Sequence, residues 1–164
     1  MTRIERAIVI DRPVEAVFGF VHDPTNDARW QTTIVESRVL TPGPMGIGTR
    51  VAQVRRFLGV RFETAFEVTA FDPYGSSSVR TVSGPIPAAG RYLFESLGPS
   101  TRLTGIVELD AAGLFSLAEP VFARMADREL QANLGHLKDL VESEAAPPYD
   151  GDRSTDEFAT RLPS

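Results

Sequence analysis

Apolar and polar residues alternate from Ile4 to Ile10, the period-two pattern of a half-buried strand, and the period then changes. Val14, Val17, Phe18 and Val21 recur at spacings of three and four, which predicts a short amphipathic helix. Asp11-Arg12-Pro13 supplies its start, with Asp11 or Arg12 near the cap and Pro13 in the first turn, and Asp23-Pro24 stops it. A second short helix, from about Pro24 to Arg29, ends at Trp30. A strand from Thr32 to Leu40 and a turn-rich loop from Thr41 to Gly48 come next. Further strands are predicted at about Thr49 to Leu58, Arg61 to Phe71, Ser77 to Ser83, Gly90 to Leu97 and Arg102 to Leu109, each bounded by Gly, Pro or Ser. Short links between sequential strands imply an antiparallel meander. From about Phe115 to Ser143 the chain is rich in strong helix formers and too long to be a strand.

Turn chemistry then assigns faces. In Leu58-Gly59-Val60-Arg61, a two-residue turn with Gly59 at the first central position (type II′) sets Phe57 opposite Phe62, Arg55 opposite Thr64, Gln53 opposite Phe66 and Val51 opposite Val68. Gln53 and Arg55 thereby share the apolar face of Phe62, Phe66 and Val68, while Glu63, Glu67 and Thr69 point to water. A four-residue loop at Gly98 to Thr101 sets Phe94 opposite Gly105 and Tyr92 opposite Val107, on one face with Leu103 and Leu109. On a helical wheel, Phe122, Ala126, Leu130, Asn133, Leu137 and Leu140 form one stripe of the last helix. Val121 and Met125 widen the apolar arc in its first half only. That half is expected to cover open space, and the second half to pack closely.

Composition narrows the class. With 164 residues and 42% apolar content the chain suits one domain with a real core, here placed at residues 1–144, and the Pro, Gly, Asp and Ser content of 145–164 predicts a disordered tail. A net charge of −5 argues against a nucleic-acid partner and disfavours an anionic membrane surface. Cysteine is absent, which fits a reducing compartment. The charged start of the chain has no signal-peptide core, and no apolar run is long enough to insert in a membrane, so a cytoplasmic protein is expected.

The order strand, two short helices, six strands, long helix resembles the helix-grip fold of the SRPBCC superfamily, an α+β architecture in which a curved antiparallel sheet wraps a C-terminal helix. The superfamily includes START lipid-transfer domains, the birch-pollen-allergen group and the polyketide cyclase/dehydrase and lipid-transport family. The residues that carry the resemblance are Pro13, Val17, Phe18 and Phe20, Asp23-Pro24 with Trp30, Gly46 to Thr49, Phe66 to Pro73, Gly90 to Glu95, Thr101 to Thr104 and Asn133 to Lys138. The resemblance implies a hydrophobic internal cavity and no obligatory cofactor. It transfers no catalytic residue, and it leaves the function open, because members range from carriers to enzymes and receptors.

The candidate chemistry is sparse. Only His22 and His136 could act as imidazole bases or ligands, so no metal site is expected; His22 reads as a surface or capping residue and His136 as the boundary of an apolar stripe. Gly43 to Gly48 lacks the Lys-Ser or Lys-Thr ending of a phosphate loop, and reads as a loop at a cavity mouth. Ser116 and Ser143 have no partner spacing for a nucleophile, and no triad is visible. Arg55 stands out, because a guanidinium on an apolar concave face must meet a carboxylate or a polar ligand group, unless a bulge turns it to solvent. Asn133 in the helix stripe calls for a backbone hydrogen bond or a ligand contact.

The expected ligand site therefore comprises Trp30, Phe57, Phe66, Tyr92, Phe94, Val121 and Met125 as apolar wall, with Gln53, Arg55 and Asn133 orienting a polar end. The leading expectation is a cofactor-free binder or carrier of a small apolar molecule such as a lipid, polyketide or quinone. A cyclase or dehydratase using Arg55 or Tyr92 on the same cavity is the alternative, and an interaction module with a collapsed cavity the third. Ligand identity and oligomeric state are left open by the sequence.

Overall fold

In the computed structural model of the chain, residues 2–110 and 118–144 are described. The expected tail at 145–164 lies outside these residues, as do positions 115–117 of the last helix. The order is β1 (Thr2–Ile10), α1 (Val14–Val21), a 3-10 turn (Pro24–Asn26), α2 (Asp27–Trp30), β2 (Ile34–Val39), β3 (Arg50–Phe57), β4 (Val60–Asp72), β5 (Ser76–Ser83), β6 (Ala88–Ser96), β7 (Thr101–Leu109) and α3 (Glu119–Ser143). The strands form one antiparallel sheet in the order β1-β7-β6-β5-β4-β3-β2. All neighbours but one are consecutive hairpins; the exception joins β1 to β7. This is the expected helix-grip architecture.

Two capping details differ from expectation. Pro13, not Asp11 or Arg12, occupies the N-cap of α1, where its carbonyl accepts from the Ala16 and Val17 amides. Arg12 instead donates to the carbonyls of Glu142 and Glu144, groups that the end of α3 would otherwise leave unpaired.

Both hairpin registers are displaced by two residues from the prediction. The β3–β4 turn is Leu58-Gly59, so Phe57 faces Val60, Arg55 faces Phe62, Gln53 faces Thr64 and Val51 faces Phe66. Leu58 (φ 50°) and Gly59 (φ 78°) both lie in the left-handed region, the signature of a type I′ turn rather than the expected II′. Likewise Phe94 faces Leu103 and Tyr92 faces Gly105. A shift of two preserves the parity of every side chain, so the predicted inward set is the observed one. The bulge between β2 and β3 falls on β2, between Ile34 and Glu36, and leaves Arg55 pointing inward.

The core sits at one end of the concave face. Ile10, Val17, Phe18, Leu103, Leu137 and Val141 are fully buried there, where α1 and the second half of α3 close on β1, β6 and β7. Phe94 belongs to this cluster, with its ring edge-on to Phe18 at 5.0 Å. Toward the other end of the sheet, close packing gives way to open space.

Candidate functional site

That space is a cavity of about 590 Å³ between the concave face and the first half of α3, within the size range of small-molecule pockets. Phe57, Phe62, Phe66, Val68 and Val79 line it from the sheet, and Phe122, Met125, Ala126 and Leu130 from α3. Gly105 makes room on β7: a Cβ there would stand 3.0 Å from Leu130 Cδ1 and 3.3 Å from Tyr92 Cε1. Met45 is the residue of the 43–48 loop that reaches the lining.

One polar chain crosses this apolar wall. Glu129 on α3 accepts from the Thr33 hydroxyl at 2.7 Å, and Thr33 accepts from Arg55 Nη1 at 3.0 Å. Arg55 Nη2 donates to Gln53 Oε1 at 2.7 Å, and Gln53 Nε2 donates to Asp27 Oδ2 at 3.3 Å. Glu129 also lies 3.7 Å from Arg55 Nη1, each side chain about a quarter exposed, and both residues line the cavity. Burial lowers the guanidinium's pKa, against Glu129, Tyr92 and Asp27, which raise it, but an arginine so placed stays cationic. Asp27 is the most perturbed acid. Burial pushes its carboxyl up to about 7, against the stabilising influence of Ser37, Gln53 and Arg55. Ser37 Oγ makes no hydrogen bond of normal geometry, yet it lies close enough to favour the ionised Asp27.

Three further polar groups face the same region. The Tyr92 ring lies 6.1 Å from that of Trp30, and burial, with Asp27 and Glu129 nearby, holds its phenol protonated. Among the described residues its hydroxyl makes no hydrogen bond. Trp30 Nε1 is buried with no hydrogen-bond partner among the described residues. Asn133 Oδ1 accepts from the Thr32 amide at 3.0 Å, the backbone bond expected of a polar residue in a helix stripe.

His22 is not a surface residue. It caps α1, as one sequence reading had it, but its ring turns inward and stacks on Phe18 at 4.1 Å between centroids. Nδ1 pairs with the Phe18 carbonyl at 2.8 Å, an acceptor only, so Nδ1 carries the hydrogen and Nε2 accepts from Ser77 Oγ at 2.7 Å. Burial lowers its pKa to about 4. A serine–histidine pair in a cavity wall invites a hydrolase reading, but among the described residues no carboxylate backs this imidazole, and burial makes it a poor base. His136 is exposed on α3. No group of three or more His, Asp or Glu among the described residues could hold a metal ion.

Of the sequence-selected residues, Trp30, Gln53, Arg55, Phe57, Phe66, Tyr92, Met125 and Asn133 line the cavity. Phe94 does not: it shares the inward face, but its position along β6 places it under α1, in the core. Val121 is 58% exposed, on the outer side of α3 with Arg124 and Arg128. Sequence reasoning missed Asp27, Thr33 and Glu129, the last of which supplies Arg55's carboxylate from α3. The spacing Met125, Glu129, Asn133, one turn apart each time, was the available signal.

A curved sheet closed by a long final helix is also the fold that comparison with known proteins finds. The family described as "Polyketide cyclase / dehydrase and lipid transport" matches residues 1–142. The chain belongs to this family. Its structural neighbours fit the wider SRPBCC superfamily and include a START superfamily protein from Mycobacterium smegmatis, at 16% identity and TM-score 0.71, covering 86% of this chain and 97% of that one. Another is the Zhui aromatase/cyclase of Streptomyces sp. R1128, at 16% identity and TM-score 0.72, with 88% and 96% coverage. A Thermus thermophilus protein, TTHA0849, superposes with TM-score 0.76 at 16% identity, covering 88% of this family member and 100% of that chain. At such identities the likeness shows the fold alone. No curated protein matches the sequence. No described helix is long and apolar enough to cross a membrane.

Proposed function

We propose that the protein binds a small, mainly apolar molecule in the internal cavity and orients it by one uncharged, oxygen-bearing end. The observation that carries this reading is the Asp27–Gln53–Arg55–Thr33–Glu129 chain on the wall of an otherwise apolar cavity of about 590 Å³. Arg55 already has Glu129 as counter-ion, so a carboxylate ligand would leave the buried cluster with excess negative charge. A ligand carbonyl can accept from Arg55 or from the Tyr92 hydroxyl, and a neighbouring ligand hydroxyl can donate to Glu129. Hydroxy-carbonyl polyketides and hydroxyquinones present such pairs; ionised fatty acids do not. The open cavity speaks against an interaction module packed solid with its own aromatics.

Organic extraction of the purified protein followed by mass spectrometry, with displacement of a cavity-bound apolar fluorophore, tests the reading. A neutral hydroxy-carbonyl compound that displaces the fluorophore more strongly than a fatty acid of equal carbon number is the expected result. Protein that yields no extractable ligand and takes up no fluorophore would overturn it.

A second reading, a cyclase or dehydratase, is favoured by one feature. Donors (Arg55, Tyr92) and a carboxylate (Glu129) face one cavity, the pairing needed to polarise a carbonyl and remove an adjacent proton. Consumption of a candidate poly-carbonyl substrate, slowed by Glu129→Gln with unchanged affinity, separates catalysis from carriage.

A further inference from the structure

The β3–β4 turn carries a side chain that its backbone disfavours. Type I′ turns require positive φ at both central positions, where Asn, Asp and Gly sit without penalty and a γ-branched apolar residue does not. Leu58 occupies the first of these positions at φ 50°, and it is 79% exposed. Folding gains nothing from it: the residue packs into no core and lies outside the cavity lining. Strain kept without a packing return points to use of the side chain outside the folded body.

Its surroundings indicate the use. Val60, across the turn, is 63% exposed. Behind these two, Arg56 and Arg61 face each other across the ladder, both exposed, and neither side chain makes an ion pair or hydrogen bond among the described residues. Like charges directly opposite destabilise a hairpin, so this pair too is a cost to the fold alone. The nearest acid on β4, Glu63, lies two residues beyond Arg61, Asp110 follows β7, three strands from β4, and Glu119 opens α3.

Antiparallel topology puts the β5–β6 loop and the first turns of α3 at the same end of the sheet as this hairpin. There Ile86, between Pro85 and Pro87, and Val121 are exposed, and Phe57, Ile86 and Phe122 line the cavity. The strained apolar tip thus stands at the same end of the sheet as these lining residues, with the two arginines behind it. A net charge of −5 does not oppose an anionic partner here, since charges farther than about 10 Å away are largely screened in physiological salt.

We propose that this end of the molecule docks reversibly on an anionic lipid surface, with Leu58 and Val60 entering the interface and Arg56 and Arg61 against the lipid phosphates. A protein surface is the less fitting occupant, because a turn two residues wide offers little area, whereas an apolar apex with a basic collar is what a bilayer interface accepts. Docking in this orientation brings the end of the sheet that holds Phe57, Ile86 and Phe122 of the cavity lining to the acyl region, the medium from which an apolar ligand would be drawn.

The test is sedimentation of the full chain with phosphatidylcholine vesicles, with and without phosphatidylglycerol, at low and high salt. Wild-type protein is expected to sediment with the anionic vesicles and to be released by salt. Leu58→Asn, which suits positive φ, should lower vesicle partition about tenfold while its melting temperature holds or rises. Arg56→Gln and Arg61→Gln should each lower partition about fivefold. Uptake of an apolar fluorophore in solution should be unchanged in Leu58→Asn, so loss of docking and loss of cavity binding are read separately. Three results would overturn the proposal: no wild-type sedimentation with any vesicle, equal sedimentation of Leu58→Asn, or a wild-type self-association that Leu58→Asn abolishes, which would make a second copy the occupant.

Discussion

Tyr92 is the residue at which stability and binding separate most cleanly. Its ring fills space against Trp30 and beside Gly105, but its hydroxyl makes no hydrogen bond among the described residues. Tyr92→Phe should therefore leave the unfolding free energy within about 0.5 kcal/mol of wild type, since no native bond is lost. The same change should weaken a bound hydroxy-carbonyl ligand by about 1 kcal/mol, some fivefold, by removing a donor that the ligand alone satisfies. Urea unfolding and ligand titration of the same preparation check both halves; an equal loss of stability would mean that the hydroxyl serves the fold. Arg55 shows how far single residues were legible in the sequence. Strand parity turned it inward correctly, because the hairpin error was an even number of residues. Its counter-ion was not legible, because strand register carries no information about the helix that closes over the sheet, and Asp27 lies in a four-residue helix too short to show a periodic pattern.

At the scale of elements, α3 divides its work. Its lining residues run from Glu119 to Asn133 and its buried ones from Leu130 to Val141, so the two sets meet at the middle of the helix. Sequence alone indicated this division, through an apolar arc that narrows along the helix, although it placed Val121 on the wrong side. Leu137→Ala, at a fully buried position in the core cluster, should cost about 2–5 kcal/mol and leave the cavity's ligand preference unchanged. Met125→Ala borders space that is already open, so it should cost about 1 kcal/mol or less and shift preference toward bulkier ligands. Thermal unfolding with a ligand size series distinguishes the two; equal stability losses would refute the division. What the sequence left unreadable at this scale was hairpin register, since Leu58 stands where turn statistics call for Asn or Gly.

For the whole molecule, two interior groups set opposing responses to pH. Asp27 has its folded pKa raised from 3.8 to about 7, so the folded state holds a proton that the unfolded state releases, and stability falls as pH rises between about 4 and 7. The full effect is on the order of 4 kcal/mol. His22 has its folded pKa lowered from 6.5 to about 4, so the unfolded state binds the extra proton, and stability falls as pH drops over that range, by about 3 kcal/mol in full. Between pH 4 and 6.5 the two slopes cancel. Asp27→Asn should therefore be less stable at pH 4.5 than at pH 6.5 by about 2 kcal/mol more than wild type is. Denaturant unfolding of both proteins across this range checks it, with surface carboxylates common to both; parallel profiles would remove Asp27 from the account.

The pairing of β1 with β7 bears on how the molecule is put together. Every other strand meets a neighbour adjacent in sequence, whereas Thr2 must find Leu109. Until it does, the flank of β7 is an unpaired template, and Asp127 and Lys138 of α3 lack their anchors on Arg6 and the Val9 carbonyl. Such a long-range closure is expected to form late, and the β7 flank stays exposed until it does. Vulnerability to aggregation should peak before the latch engages, which makes the opening nine-residue strand a sensitive place to tamper with folding yield.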